Sequence, residues 1–236
     1  MSISIFGRKL SVRVTFQKAG KPLEVNLDLQ KRLLKSYSQF NEDVLIRQLF
    51  SDKQRGTYID IGANHPINLN NTKMLYDMNW SGVNVEPNPR LYKLICEDRK
   101  RDINVNCGVA DVAGEMIFYE IEPDCYSTFD ENIALMAKYS RNKKVVNKTG
   151  IKVVTIQDIF AMCDRHVDLL SIDTEGFDYK VLSTNDWGKN RPGVILVELN
   201  HDEDDSVHNL LINNNYALIL YNGTNGVFVD ESNNKW

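Results

Sequence analysis

The sequence predicts an α/β protein built on a mainly parallel sheet with helices on both faces. Three observations predict it. Short apolar runs recur along the chain at "TYIDIG", "GVNVE", "INVNCGVA", "VDLLSID" and "GVILVELN". Helix-length segments lie between most of them, among them "NTKMLYDMNW", "NPRLYKLICEDRK", "TIQDIFAMC" and "EGFDYKVLS". The runs carry apolar residues at consecutive positions, as strands covered on both faces do, and strands alternating with helices form parallel sheets.

Taken in order, residues 1–35 stand apart. Leu10, Val12, Val14 and Phe16 alternate with polar neighbours, "QKAGKP" breaks the run, and Leu23, Val25, Leu27 and Leu29 alternate again. This period of two predicts a β-hairpin extension over 1–35, before a main domain over 36–236. A lone hairpin is marginal in water, so its apolar face must lie on the main body or on a second subunit, which leaves a homodimer open. From "SYSQFNEDVLIRQLF" the period becomes helical. Pro89 behind Asn88 is a first-turn proline after an N-cap, and "TIQD" at 155–158 reads as a capping box. The segment 115–150 is longer than a simple crossover and is expected to carry specificity. "DEDDSVHNLLINN" reads as a last helix, and "YALILYN" with "GVFVD" as a closing antiparallel hairpin.

Composition excludes several classes. The chain has 236 residues, 42% of them hydrophobic, enough for a packed core. With 28 Lys and Arg against 32 Asp and Glu it carries a formal charge of −4 and no basic tract, which argues against nucleic acid and against an anionic membrane footprint. No apolar stretch is long enough to span a membrane and the start alternates, so a soluble, unexported, cytoplasmic protein is expected. The four cysteines form no C-x-x-C pair and predict neither a zinc site nor a disulfide scaffold.

In an open parallel sheet, ligands bind beyond the carboxyl ends of the strands. The ends of the five runs bring Asp60 with Gly62, Glu86, Gly108 to Asp111, Asp173 with Glu175, and Glu198 with Asn200 and His201 to one mouth. A dinucleotide site would need a second glycine where this chain has Asn64. The Asp60 carboxylate would also repel phosphate, since two unit charges about 4 Å apart interact by roughly 4 kcal/mol at an effective dielectric near 20. S-adenosylmethionine has no phosphate and carries an ammonium and a sulfonium, so an acidic mouth suits it. Glu86, ending the second run 26 residues after Asp60, is placed to accept from a ribose diol.

The stretches "YSQFNEDVLI" (37–46), "YIDIGANHPINLNNT" (58–72), "NWSGVNVEPNP" (79–89), "NCGVAD" (106–111) and "DLLSIDTEGFDYKVL" (168–182) resemble the FkbM family of S-adenosylmethionine-dependent methyltransferases. The resemblance covers about residues 36–200. It implies a class I, Rossmann-like methyltransferase fold with a mainly parallel seven-stranded sheet. It also implies that Asp60, Gly62, Ala63 and Asn64 surround the methionine part of the cofactor, that Glu86 holds the ribose, that Asp111 lies near the adenine, that Gln39 reaches the cofactor, and that Pro87 and Asp173 are among its contacts. Phe177 stands where the family often has histidine after "EG".

The expected reaction is O-methyl transfer to a hydroxyl of a sugar or nucleotide sugar, a small-molecule acceptor. Such a hydroxyl needs a base or a metal to lose its proton. Asp173, His201 and Glu175 are the catalytic candidates, with His65 a rival. Asp173, Glu198 and His201 are candidate ligands for a divalent metal, magnesium or manganese by their oxygen donors or iron through the imidazole. Tyr126, Phe129, Tyr139 and Phe177 are candidates to line an acceptor pocket. Arg141, Lys143 and Lys144 would suit a phosphate-bearing acceptor or form a solvated face. A polyketide or other small natural product is an alternative acceptor, and a non-catalytic binding module an alternative role.

Overall fold

The computed structural model describes residues 2–6, 9–14, 23–27, 35–199 and 205–232. His201 and Asn200, like Phe16 and Leu29 of the expected hairpin, lie outside the described residues.

The chain opens with strands β1 (Ser2–Phe6), β2 (Lys9–Val14) and β3 (Leu23–Leu27), which form their own antiparallel sheet in the order β1-β2-β3. The expected hairpin is the β2–β3 pair, in a register that sets Leu10 opposite Leu27, Val12 opposite Val25 and Val14 opposite Leu23. β1, within the alternating start of the chain, adds a third strand beside that hairpin.

Helix α1 (Glu42–Leu49) leads into the main sheet. There follow β4 (Thr57–Ile61), α2 (Lys73–Asp77), β5 (Ser81–Val85), α3 (Pro89–Asp98) and β6 (Ile103–Val105). α3 starts as expected: Pro89 is its first residue and the Asn88 side chain accepts from the amides of Arg90 and Leu91. The run "INVNCGVA" is divided, however, and β7 (Gly108–Val109) leaves the main sheet to join β8 (Gly114–Glu122) and β9 (Lys144–Val154) in a third sheet ordered β7-β9-β8. A 3-10 turn (Asp124–Tyr126) and helix α4 (Glu131–Ala137) lie between those long strands. The remaining elements are α5 (Ile156–Phe160), β10 (Leu169–Ile172), α6 (Asp178–Ser183), β11 (Val194–Glu198), α7 (Ser206–Asn213), β12 (Tyr216–Tyr221) and β13 (Asn225–Asp230). Thr155 and Asp158 make the capping box of α5.

The seven-stranded sheet has the order β12-β13-β11-β10-β4-β5-β6. Neighbours from β11 to β6 pair in parallel, whereas β13 runs antiparallel between β11 and β12. Every residue of β4, β10 and β11 is buried, and alternate residues point to opposite faces. Ile59, Ile61, Leu170, Ile172, Ile195 and Val197 pack with Ile159, Val181 and Leu211 of α5, α6 and α7. Tyr58, Leu169, Val194 and Leu196 pack on the other face with Ile46 of α1 and Leu75 of α2. Two helical layers on a mainly parallel sheet make the α/β class I architecture that the sequence predicts. No helix among the described residues is long and apolar enough to cross a membrane.

Candidate active site

β4 ends in a turn that only a glycine fits. Gly62 has φ +79°, and a side chain there would collide with the main-chain carbonyl of Asp173 at the end of β10. The amides of Gly62 and Ala63 both donate to the Val85 carbonyl, at 3.0 and 3.1 Å, which presses the turn against β5. Asn64 follows with φ +50°. The turn therefore sits in backbone contact with β5 on one side and with the β10 loop on the other.

A buried polar network holds this turn from below. Asp60 is buried and its Oδ2 accepts from Thr72 Oγ1 at 2.7 Å. Burial lifts its carboxyl above the ordinary range, against the lowering effect of the Thr72 hydroxyl and Arg99. Asn70 donates to the Ala63 carbonyl at 3.0 Å and accepts from the Lys73 amide at 2.7 Å and from Arg99 Nη2 at 2.6 Å. Arg99, fully buried, also donates to the Pro66 carbonyl at 3.0 Å. The loop from Gly62 to Thr72 is thus sewn to α3 by one guanidinium.

Glu86 follows β5 and is buried. Its Oε2 accepts from the Asn64 amide at 2.7 Å and its Oε1 from the Asn88 amide at 2.8 Å. Burial pushes the carboxyl up to about 7, although both amides favour the charged form. Each oxygen of a carboxylate has a second lone pair, so Glu86 retains acceptor capacity toward the cavity it lines.

At the end of β10 and β11, one oxygen each of Asp173, Glu175 and Glu198 lies within 4.8 Å of the others. Burial raises the Asp173 carboxyl well above its usual range, and Glu198, Glu175 and Asp178 raise it further. Asp173 Oδ1 is sealed from solvent and has no hydrogen-bond partner among the described residues. Asp178, whose Oδ1 accepts from the Thr174 amide at 3.0 Å, is pushed up to about 6 by burial. Like charges this close do not all ionise together without a proton or a cation among them.

Asp60, Glu86, Asp173, Glu175 and Glu198 meet in one cavity of about 180 Å³. Of the residues singled out from sequence, Gln39, Asp60, Gly62, Ala63, Asn64, Glu86, Pro87, Asp173, Glu175 and Glu198 line it. Asp111 does not: it is exposed beyond β7, and Cys107, Gly108 and Val109 form the wall instead. His65 is turned into its own loop, where Nδ1 accepts from the amides of Ile67 and Asn68, each at 3.1 Å. Tyr126 and Phe129 line the cavity. Phe177 packs edge-on against Phe129 at 6.3 Å between centroids, and Tyr139 stands in solvent. Lys143 Nζ lies 3.4 Å from the Tyr126 ring centroid, while Arg141 and Lys144 are exposed.

Several residues of the site carry no sequence signal. Glu42, fully buried, accepts from Phe40 N at 2.8 Å and from the side chains of Asn222 and Asn225, at 2.8 and 2.6 Å, linking the Gln39 segment to the cavity wall at Asn225. Asp43 accepts from Ser36, Tyr37 N and Ser38 in the same segment. Acidic pairs at a helix start usually face water, so only the tertiary partners reveal these two.

The donor set fits a cationic, phosphate-free adenosine carrier: acceptor oxygens face the cavity, and the Gly62 turn leaves no room for a side chain. It also fits a hard divalent cation, because the three clustered groups all offer carboxylate oxygens.

A family model, the methyltransferase FkbM domain, matches residues 60–218. Among solved structures, an FkbM methyltransferase from Methylobacillus flagellatus KT is 15% identical, with a TM-score of 0.50 over 82% of this chain and 48% of that one. The chain thus spans about half the length of that relative. A TehB-like SAM-dependent methyltransferase from Corynebacterium glutamicum is 10% identical (TM-score 0.41; 82% of this chain, 89% of that one). The fibrillarin pre-rRNA processing protein of Methanococcus jannaschii is 11% identical (TM-score 0.44; 98% and 97%). No curated protein sequence matches. The family match takes in the end of β4 with its glycine turn, Glu86, the carboxylate cluster and strands β5, β6, β10 and β11, and the chain belongs to the FkbM methyltransferase family.

Proposed function

We propose that the protein transfers a methyl group from S-adenosylmethionine to a hydroxyl of a sugar, free, nucleotide-linked or within a glycan. The observation that carries the cofactor is the carboxylate-lined cavity beside the Gly62 turn, with Glu86 keeping lone pairs toward it. In this reading Asp60, Gly62, Ala63 and Asn64 border the methionine end, Glu86 the ribose, and Gln39 and Pro87 the cavity around them.

When bound, the cofactor supplies a methyl group already activated by its sulfonium. The chain's own task is alignment and proton removal; positioning alone is worth roughly 7–11 kcal/mol in favourable cases. Asp173 is the favoured base, since a carboxyl held above its ordinary range is a stronger proton acceptor once ionised. Glu175 orients the acceptor hydroxyl, and the proton leaves through the same carboxylate cluster. His201 remains a base candidate by its place after β11. A magnesium or manganese ion on Asp173, Glu175 and Glu198 would serve the same end by acidifying the hydroxyl, and the clustered oxygens favour it over iron.

Calorimetric titration with S-adenosylmethionine tests the cofactor: a folded protein that takes up none overturns the reading in favour of a binding module. Mass spectrometry for a gain of one CH2 on free sugars, nucleotide sugars and polyketides, with and without chelator, tests acceptor and metal. Methylation of polyketides alone would replace the sugar, and turnover unchanged by chelator would remove the metal.

A further inference from the structure

Among the described residues, seven that are not glycine hold a left-handed backbone. Five are asparagine or aspartate, whose short polar side chains tolerate that region. The other two are Leu69, at φ +53°, and Glu175, at φ +49°, and both line the cavity. Such a conformation at a residue type that resists it persists only where the surroundings over-determine it, and it collects at ligand sites. Glu175 already has a part in the carboxylate cluster. Leu69 has none, and with a side chain 54% exposed it adds little to the core.

The contacts that impose this conformation come from the next residues. Asn70 donates from its amide to the Tyr37 carbonyl at 3.0 Å and from Nδ2 to the Ala63 carbonyl at 3.0 Å, and its Oδ1 accepts from the amides of Thr72 and Lys73 at 3.1 and 2.7 Å. Asn71 Nδ2 donates to Ser171 Oγ on β10 at 3.4 Å, two residues before Asp173. Because β10 and β5 flank β4, this ties the Leu69 loop to the Asp173 side of the Gly62 turn, whereas Glu86 follows the strand on the other side. None of these bonds uses the Leu69 side chain. The fold thus holds an aliphatic group at the cavity edge without needing it for the loop.

We propose that Leu69 is a specificity-determining residue, whose side chain receives an apolar, C–H-bearing face of the acceptor while the reacting hydroxyl lies toward Asp173 and Glu175. The assignment rests on the methyl-transfer reading of the cavity, and it narrows the acceptor to a hydroxyl compound that has such a face.

Leu69→Asn tests it, because asparagine keeps the left-handed backbone. The probe is whichever free sugar, nucleotide sugar or polyketide the parent methylates fastest. KM for that acceptor is expected to rise roughly tenfold with the turnover number within about twofold, the mark of lost binding shared by ground and transition states. S-adenosylmethionine affinity, by titration calorimetry, should not change. The thermal midpoint should stay level or rise by up to about 4 °C as the backbone cost is relieved. Leu69→Met should restore KM. An unchanged KM, a matching loss of cofactor affinity, or a midpoint several degrees lower would overturn the proposal and leave the methyl-transfer reading intact. A parent that takes up no cofactor and methylates none of the probes would instead overturn that reading, and this contact with it.

Discussion

The Asn64 amide donates to Glu86 Oε2 at 2.7 Å, so the glycine turn after β4 and the carboxylate after β5 form one unit. A ligand gripped by Glu86 is gripped by the turn as well. Glu86→Ala removes the acceptor for two backbone amides together with the proposed ribose contact. Hydrogen bonds to charged groups contribute about 1.5–3 kcal/mol each. S-adenosylmethionine affinity should fall roughly 10- to 100-fold, measured by titration calorimetry, with Glu86→Gln intermediate because one acceptor oxygen, that of the carboxamide, survives.

Gly62→Ala strikes the same unit from the other side. The left-handed backbone costs an L-residue about 1–2 kcal/mol, and the added methyl group would meet the Asp173 carbonyl, which is main chain and cannot rotate away. The urea midpoint should drop by the equivalent of more than about 2 kcal/mol, and cofactor binding should be lost before the protein unfolds. Gly114→Ala, in open surroundings, is the matched control.

Asp173→Asn should separate stability from turnover. It removes a negative charge from a crowded corner while keeping the shape, so the thermal midpoint of the ligand-free protein should rise at neutral pH. The turnover number should fall about 10²- to 10⁴-fold if Asp173 is the base. A variant that melts lower yet turns over normally would assign Asp173 a structural part instead.

The pH dependence follows from four carboxyls raised by burial: Asp60, Glu86 to about 7, Asp173, and Asp178 to about 6. A raised carboxyl binds its proton more tightly in the folded state. Its contribution to stability is therefore fully present below the unfolded value and is lost as pH rises through the folded one. Glu86 alone corresponds to about 3 kcal/mol between these limits. Urea unfolding of the ligand-free protein should show stability declining from about pH 5 to about pH 8, and Glu86→Gln should flatten the slope. A slope of opposite sign would mean that the carboxyls are held charged.

Much of the architecture was legible because parallel strands are local signals. Continuous apolar runs mark β4, β5, β10 and β11, and capping residues mark α3 and α5. Asp60, Gly62 and Glu86 were legible for the same reason: strand ends in such a sheet converge on one edge. The long β8–β9 pair was not, since its partners are separated by a turn and a helix and much of β9 is exposed. A pairing that buries few residues leaves little alternation to detect. Arg99 and Glu42 were hidden for a different reason. A charged residue reads as solvent-facing until its partners, Asn70 and Pro66 for the one and Asn222 and Asn225 for the other, are seen around it.

The third sheet has one more implication. Gly114, where β8 begins, pairs with Val153 near the end of β9, so the excursion between them departs from and returns to nearly the same point. It carries Tyr126, Phe129 and α4 but contributes no strand to the main sheet. A chimaera that exchanges only this stretch for a relative's would leave the Gly62 turn and Glu86 in place, offering a direct route to retarget the protein's choice of acceptor.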